Sequence, residues 1–196
     1  MARIKQFFAG SLTLFAIVLV GCGEPQHDMA GEQGMKPPER PKQLDALKAF
    51  VGRWEGTSEM RMPGVDKPMK GTGVNEVRWA CDGRFLMESF QADLGEGNKM
   101  TGIGLWTWDA EHKKYHTWWF DNFGTSGEGW VTYNEADKSW HHQASGENVM
   151  AGKHTYGEGT SRFVDDNTIE WTWKEWDNAL KWGKAMMEMT GTQHRK

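Results

Sequence analysis

The 196-residue sequence has few of the features that identify common protein classes. It contains only two cysteines, Cys22 and Cys81, so it cannot form the multiple-disulfide framework of small secreted domains. Its 23 basic residues do not outnumber its 27 acidic ones, and the net charge of -4 excludes the basic surface of a nucleic-acid-binding protein. With 38% hydrophobic residues it is not a bundle of membrane-spanning helices either. We expect a globular domain stabilised by core packing.

The sequence also lacks the motifs with which common enzymes assemble a reactive centre. It has no nucleophile elbow, no phosphate-binding loop and no zinc-ligand spacing. Asp121 and Asp165 are interpreted as residues that help form the neighbouring turns rather than as catalytic acids. Cys81 has no neighbour in sequence that favours a thiolate, so it is interpreted as a small buried hydrophobic residue. The sequence therefore predicts no catalytic residue, no metal site and no cofactor, and it leaves an enzymatic role open.

The N-terminus has the pattern of an export signal. Arg3 and Lys5 precede an uncharged, largely apolar run over residues 7–20, which is too short for a comfortable membrane span. The run ends in Leu-Val-Gly-Cys, and this ending resembles the bacterial lipobox, which implies cleavage before Cys22 and a lipid on its sulfur. The alternative is an ordinary signal peptide that happens to end there. We expect residues 1–21 to be removed and the mature chain to be anchored to a membrane through Cys22.

Residues 22–43 are predicted to form a flexible tether. Four of the six prolines lie here and no aromatic residue does. His27 and Met29 are interpreted as solvated tether residues, because no complete metal-ligand set accompanies them. Gly23 follows the lipobox cysteine in place of the aspartate linked to inner-membrane retention. By this resemblance, the protein is expected on the outer membrane, facing the periplasm, if the host is Gram-negative.

The remaining residues, 44–196, are predicted to form one all-β domain. Apolar residues at helical spacing over 44–50 predict a short N-terminal helix, and alternation with period two then predicts strands. Because the intervening loops are short, neighbouring strands should be antiparallel, and closure into an up-and-down barrel removes the two exposed edges. Ten strands are predicted, over residues 50–61, 70–80, 84–94, 99–109, 113–122, 125–134, 138–145, 153–164, 168–176 and 182–193.

Several short segments carry a resemblance to a known family. They are Phe-Val-Gly-Arg-Trp-Glu-Gly at 50–56, Gly-Arg-Phe-Leu-Met-Glu at 83–88, Gly-Ile-Gly-Leu-Trp at 102–106, Trp-Phe-Asp-Asn-Phe-Gly-Thr at 119–125 and Met-Glu-Met-Thr at 187–190. In this order they resemble an uncharacterised bacterial lipoprotein family of unknown function with a calycin-like (lipocalin-like) barrel. The resemblance implies that Trp54 closes the barrel floor and that a basic residue near the C-terminus covers it, with Arg195 as the matching candidate and His194 and Lys196 as alternatives.

Tryptophan supplies the candidate ligand-binding residues. The sequence has 12 tryptophans against 3 tyrosines, and the parity of the predicted strands places large rings beside glycine and alanine inside the barrel. Such an interior either leaves room for a flat apolar ligand or interdigitates into a filled core. The predicted ligand-binding residues are Trp106, Trp108, Trp119, Trp130, His142, Trp171 and Trp173.

His142 and the methionines each have a second interpretation. An inward His142 is a candidate haem or metal ligand, but residues 56–59 lack the glycine-rich pattern associated with haem-binding calycins. A polar partner in the core, or a surface position, is therefore favoured. Met187 and Met189 alternate as core residues do, rather than as copper ligands.

The sequence thus predicts a membrane-anchored lipoprotein whose barrel binds a small hydrophobic ligand. Its partners would be the membrane, through the lipid on Cys22, and that ligand; nucleic acid is excluded by charge. The alternative is a cell-envelope protein-interaction module with a filled barrel and no small-molecule ligand.

Overall fold

The computed structural model describes residues 37–95, 97–178 and 183–196. The chain divides into two units at Pro38 and Glu39, and the second, Glu39–Lys196, contains all the secondary structure given below. The predicted signal peptide, Cys22 and most of the predicted tether, with His27 and Met29, lie outside the described residues. No helix within the described ranges has the length and apolar character needed to cross a bilayer.

The second unit is a closed barrel of ten antiparallel strands, which confirms the predicted fold. Each strand pairs with its neighbours in sequence, and the first pairs with the last, so every strand has two partners. The barrel therefore has no free edge. The strands are β1 (Gly52–Arg61), β2 (Met69–Ala80), β3 (Phe85–Asp93), β4 (Lys99–Asp109), β5 (Lys114–Asp121), β6 (Ser126–Asn134), β7 (Ser139–Asn148), β8 (Lys153–Asp165), β9 (Thr168–Asp177) and β10 (Met187–Arg195).

A 3-10 helix at Lys42–Phe50 closes one end of the barrel, which we call the floor. Leu44 and Leu47 are fully buried in the core that the floor covers. The Tyr115 hydroxyl donates a hydrogen bond of 2.7 Å to the Gln43 carbonyl and so ties the helix to β5. The predicted short helix is confirmed, although it starts two residues earlier and is wound more tightly than an α-helix.

Trp54 lies at the centre of the floor and is 1% exposed. The Arg195 guanidinium stands 4.2 Å from the centre of its ring and donates hydrogen bonds to the carbonyls of Ala49, Val51 and Asp166. The covering role that the family resemblance implied for a basic residue near the C-terminus is therefore held by Arg195, because β10 pairs with β1 and brings it opposite Trp54.

The turn between β2 and β3 overturns the interpretation of Cys81. Cys81 and Asp82 both adopt left-handed backbone conformations, with φ of 48° and 55°, and Gly83 follows with φ of 77°. This turn of four residues, 81–84, projects beyond the sheet, so Cys81 is exposed rather than buried. The prediction of a buried residue was wrong because the left-handed backbone at residues 81–83 turns the chain away from the core directly after the strand.

Candidate functional site

Large inward side chains lie flat against the barrel wall over glycines of neighbouring strands. A Cβ atom added at Gly157 would lie 2.0 Å from the Trp173 ring, and one at Gly191 would lie 2.4 Å from the Trp171 ring. The same relation holds between Gly102 and Trp119. Because only glycine leaves space for these rings against the wall, the pairing keeps the indoles away from the barrel axis.

The interior differs between its two halves. Near the floor, Leu86, Val131 and Ile169 are buried, with exposed fractions of 2%, 2% and 5%. Further from the floor, the inward side chains are only half-buried; these include Phe90, Thr117, Trp119, Ala144, Trp171 and Trp173. The inward side chains of this half are therefore less buried than those near the floor. The interior therefore has a packed lower half and an accessible upper half.

The structure brings most of the predicted ligand-binding residues to this interior at different heights. Trp119, Trp171 and Trp173 line the accessible half, and Trp106 and His142 lie below them with ring centres 5.5 Å apart. Trp108 lies close to the floor, where its ring meets that of Tyr115 at 5.1 Å.

Trp130 is on the outer face, so its predicted inward position is wrong. Val131 is buried in the core and pairs with Tyr115, which places the preceding residue on the opposite side. The Trp130 ring stacks there on His116, with centres 4.3 Å apart and planes inclined by 13°. Trp130 and Val131 are both apolar, and the pairing with β5 decides which of them enters the core.

Three inward indoles donate hydrogen bonds to inward carboxylates. Trp106 Nε1 lies 3.0 Å from a Glu88 carboxylate oxygen, Trp119 Nε1 lies 3.2 Å from Asp121, and Trp173 Nε1 lies 3.4 Å from Glu175. These acids are not among the ligand-binding residues predicted from the sequence. A signal was present, because Trp119 and Asp121, like Trp173 and Glu175, are two residues apart on one strand and therefore share a face.

Glu88 and Glu175 have matching surroundings. Asn75 donates its amide to Glu88 at 2.9 Å, and Asn148 donates its amide to Glu175 at 2.8 Å. Each carboxylate thus receives one amide and one indole N–H. Among the described residues, neither carboxylate has a cationic partner within ion-pair distance.

His142 is an inward histidine with a polar partner, which was the favoured interpretation. Its Nε2 lies 2.9 Å from the Ser161 hydroxyl. Burial, with a smaller contribution from neighbouring His141, lowers the pKa of His142 to about 4, so the ring is neutral at physiological pH. No group of three or more histidine, cysteine or acidic side chains in the described ranges is placed to hold a metal ion.

Two buried polar atoms of the interior have no hydrogen-bond partner within the described residues. They are the indole nitrogen of Trp171 and the amide oxygen of Asn75. Asn75 also lines a cavity of about 30 Å³ just above the floor, which we call the foot cavity. This volume is enough for a water molecule or one small polar group. Its lining residues are Phe50, Trp54, Asn75, Val77, Leu86, Glu88, Trp106, Ile169 and Gln193.

Methionines surround the end of the barrel opposite the floor, which we call the mouth. Met60 is paired with Met69 on one side and with Met189 on the other, and all three face inward. Met62, Met100, Met150, Met186 and Met187 lie in the strand ends and loops at the same end. Eight of the nine methionines in the described residues are therefore at the mouth.

A groove of about 1010 Å³ crosses the outer face of the barrel. Threonine and charged side chains that alternate with the inward residues form most of its lining. The sequence did not predict a site at the threonines of this groove, which are Thr57, Thr72, Thr160, Thr172, Thr190 and Thr192.

A solved crystal structure shows the same fold. The crystal structure of Rv2717c from M. tuberculosis matches with a TM-score of 0.61 at 13% identity, covering 81% of this chain and 99% of that one. A de novo designed fluorescence-activating β-barrel also matches, with a TM-score of 0.42 at 14% identity, covering 78% of this chain and 98% of the design. No curated protein sequence matches significantly.

The family assignment comes from a family model that matches residues 39–193, almost the whole barrel unit. The chain belongs to the family described as "Protein of unknown function (DUF1579)".

Proposed function

We propose that the barrel binds a small, largely apolar ligand in the upper half of its interior. The observation that carries this proposal is the half-buried state of inward aromatic side chains above a packed floor. Concave, mostly apolar sites with a few polar groups are the usual form of small-molecule sites. Trp119, Trp171 and Trp173 supply flat apolar surfaces, and Asp121 and Trp171 Nε1 supply polar contacts.

The mouth suits the entry of such a ligand. Methionine is flexible and polarisable, so it packs against apolar molecules of different shapes. Met150 is 71% exposed and Val149 beside it is 55% exposed, in the loop between β7 and β8. These side chains offer an apolar entrance to an interior that is otherwise closed by the wall and the floor.

The proposal is tested by titrating the neutral dye Nile red into the purified protein. We expect a saturable rise in dye fluorescence with one site per chain. Ala144→Phe, which adds a ring to the interior, should abolish the rise. Ser145→Phe is the matched control, because Ser145 follows Ala144 on the same strand and its side chain therefore faces outward. No saturable response, or equal loss in both variants, would reject interior binding and favour the protein-interaction module with a filled barrel.

We further propose that the chain is a lipoprotein of the bacterial cell envelope, anchored through Cys22. The lipobox-like ending of the apolar N-terminal run supports this. Mass spectrometry of the chain produced in a Gram-negative host should find a mature N-terminus at Cys22 with attached acyl chains, in the outer-membrane fraction. Cys22→Ala should remove the acyl chains and Cys81→Ala should not; a mature protein without acyl chains would reject the proposal.

A further inference from the structure

We infer that the barrel's ligand carries a protonated amine, which sits in the foot cavity against Glu88 and Asn75. This inference rests on the proposed function and adds the chemical class of the ligand. The charges that face the interior are mostly negative. Above the floor, the inward positions of the described strands carry four acidic residues, Glu88, Asp121, Glu175 and Asp177.

Little positive charge opposes these acids. Lys153 is the one lysine or arginine at those inward positions, and its Nζ is already 2.7 Å from the Asp177 carboxylate. His142 is neutral, and Arg195 lies at the floor, bonded to backbone carbonyls. An anionic ligand, such as a fatty acid, would therefore meet carboxylates with no cation to pair with. A cationic ligand would meet charges of opposite sign, and in the small foot cavity little water would screen the carboxylate from it.

The foot cavity has the acceptors that an ammonium group needs. The Asn75 oxygen is buried without a donor, and the Glu88 carboxylate receives only two neutral N–H groups. An ammonium group has three donors and no acceptor. The Trp106 ring in the cavity wall adds a surface that favours a cation. At about 30 Å³, the cavity fits the ammonium end of a ligand whose apolar body extends upward among Trp119, Trp171 and Trp173.

Three naphthalene derivatives of one shape test the inference: naphthalene-1-methylamine, naphthalene-1-methanol and naphthalene-1-carboxylate. Isothermal titration calorimetry at pH 7 should show the amine binding about tenfold or more tighter than the alcohol, because a hydrogen bond to a charged group outweighs a neutral one. The carboxylate should not bind. Equal affinity for amine and alcohol would overturn the inference and leave the proposed function standing. Failure of all three probes to bind would reject both.

Glu88→Gln and Glu175→Gln form a matched pair, because each carboxylate has one asparagine and one indole donor but only Glu88 lines the foot cavity. Glu88→Gln should weaken amine binding about tenfold and change alcohol binding less than about twofold. Glu175→Gln should leave both affinities within about twofold. Equal effects of the two substitutions on the amine would overturn the placement in the foot cavity. Thermal unfolding of each variant identifies any loss of affinity that comes from misfolding.

Discussion

Arg195 covers Trp54 and thereby joins the last residues of the chain to the first strand. Its guanidinium lies 4.2 Å from the ring centre and bonds to the carbonyls of Ala49 and Val51, at the end of the helix and the start of β1. The arginine thus satisfies backbone acceptors that the helix leaves unpaired. One side chain therefore contacts the floor, the end of the helix and the strand pair that closes the barrel.

Arg195→Ala should lower the free energy of unfolding by about 2–3 kcal/mol, because it removes charge-assisted hydrogen bonds and a cation–π contact together. Arg195→Lys keeps the charge over Trp54 but loses the planar arrangement of donors. Its free energy of unfolding should therefore lie between those of the wild type and Arg195→Ala. Urea unfolding of the purified protein measures both. Arg162→Ala is the control, because its ion pair with Glu170 is exposed and worth less than about 1 kcal/mol.

The contact between Gly157 and Trp173 gives a second prediction. Gly157→Ala would bring a Cβ atom within 2.0 Å of the ring, so either the ring or the strand must move. Overpacking of this kind typically costs about 1–3 kcal/mol. We expect a loss of this size in urea unfolding, together with a shift of the tryptophan emission spectrum.

The double variant Gly157→Ala with Trp173→Leu distinguishes a steric clash from a backbone effect. All three of the closest atoms that the new Cβ would meet belong to Trp173. In the leucine background the alanine substitution should therefore cost less than about 0.5 kcal/mol. A cost unchanged from wild type would show that the backbone, not the ring, requires glycine.

The fold could be predicted from the sequence because its signals are local. Alternation along each strand and turn residues between strands, such as Asp82 and Gly83, indicate ten antiparallel neighbours, and closure follows from the need to cover edges. The place of Arg195 over Trp54 could be expected only through resemblance to a known family. Its contacts span more than 140 positions in sequence, which no local pattern can indicate.

The candidate site was only partly predictable, for two physical reasons. Adjacent apolar residues, such as Trp130 and Val131, leave the parity of a strand undecided until its partner fixes the register. Polar groups of the interior also come from distant strands. Asn75, Glu88 and Trp106 belong to β2, β3 and β4, and only pairing of these strands brings their side chains into one hydrogen-bonded group.

The hydrogen bond from Tyr115 to Gln43 gives a third prediction, about the helix at the floor. Tyr115→Phe removes the hydroxyl that donates the 2.7 Å hydrogen bond, and the Gln43 carbonyl loses this donor. The free energy of unfolding should fall by about 1–2 kcal/mol. Burial also raises the pKa of Tyr115 to about 12, so the hydroxyl stays protonated across the physiological range. Amide hydrogen exchange in residues 42–50 should accelerate. Tyr133→Phe is the control, since Tyr133 is 39% exposed, and similar effects of both substitutions would contradict the role of the bond.

The buried His142 gives a pH dependence whose sign can be worked out. Its pKa is about 4 in the folded protein against 6.5 for an unperturbed histidine, so between these values the unfolded chain binds a proton that the folded protein does not. The contribution of neutral His142 to the free energy of unfolding is therefore fully present well above pH 6.5 and is lost as the pH falls toward 4. From pH 6.5 to 5, wild type should lose about 2 kcal/mol more than His142→Gln, which cannot titrate. Urea unfolding across this range measures the difference. Parallel curves for wild type and His142→Gln would show that His142 takes up its proton in the folded barrel, and hence that water reaches the ring beside Trp106 and Ser161.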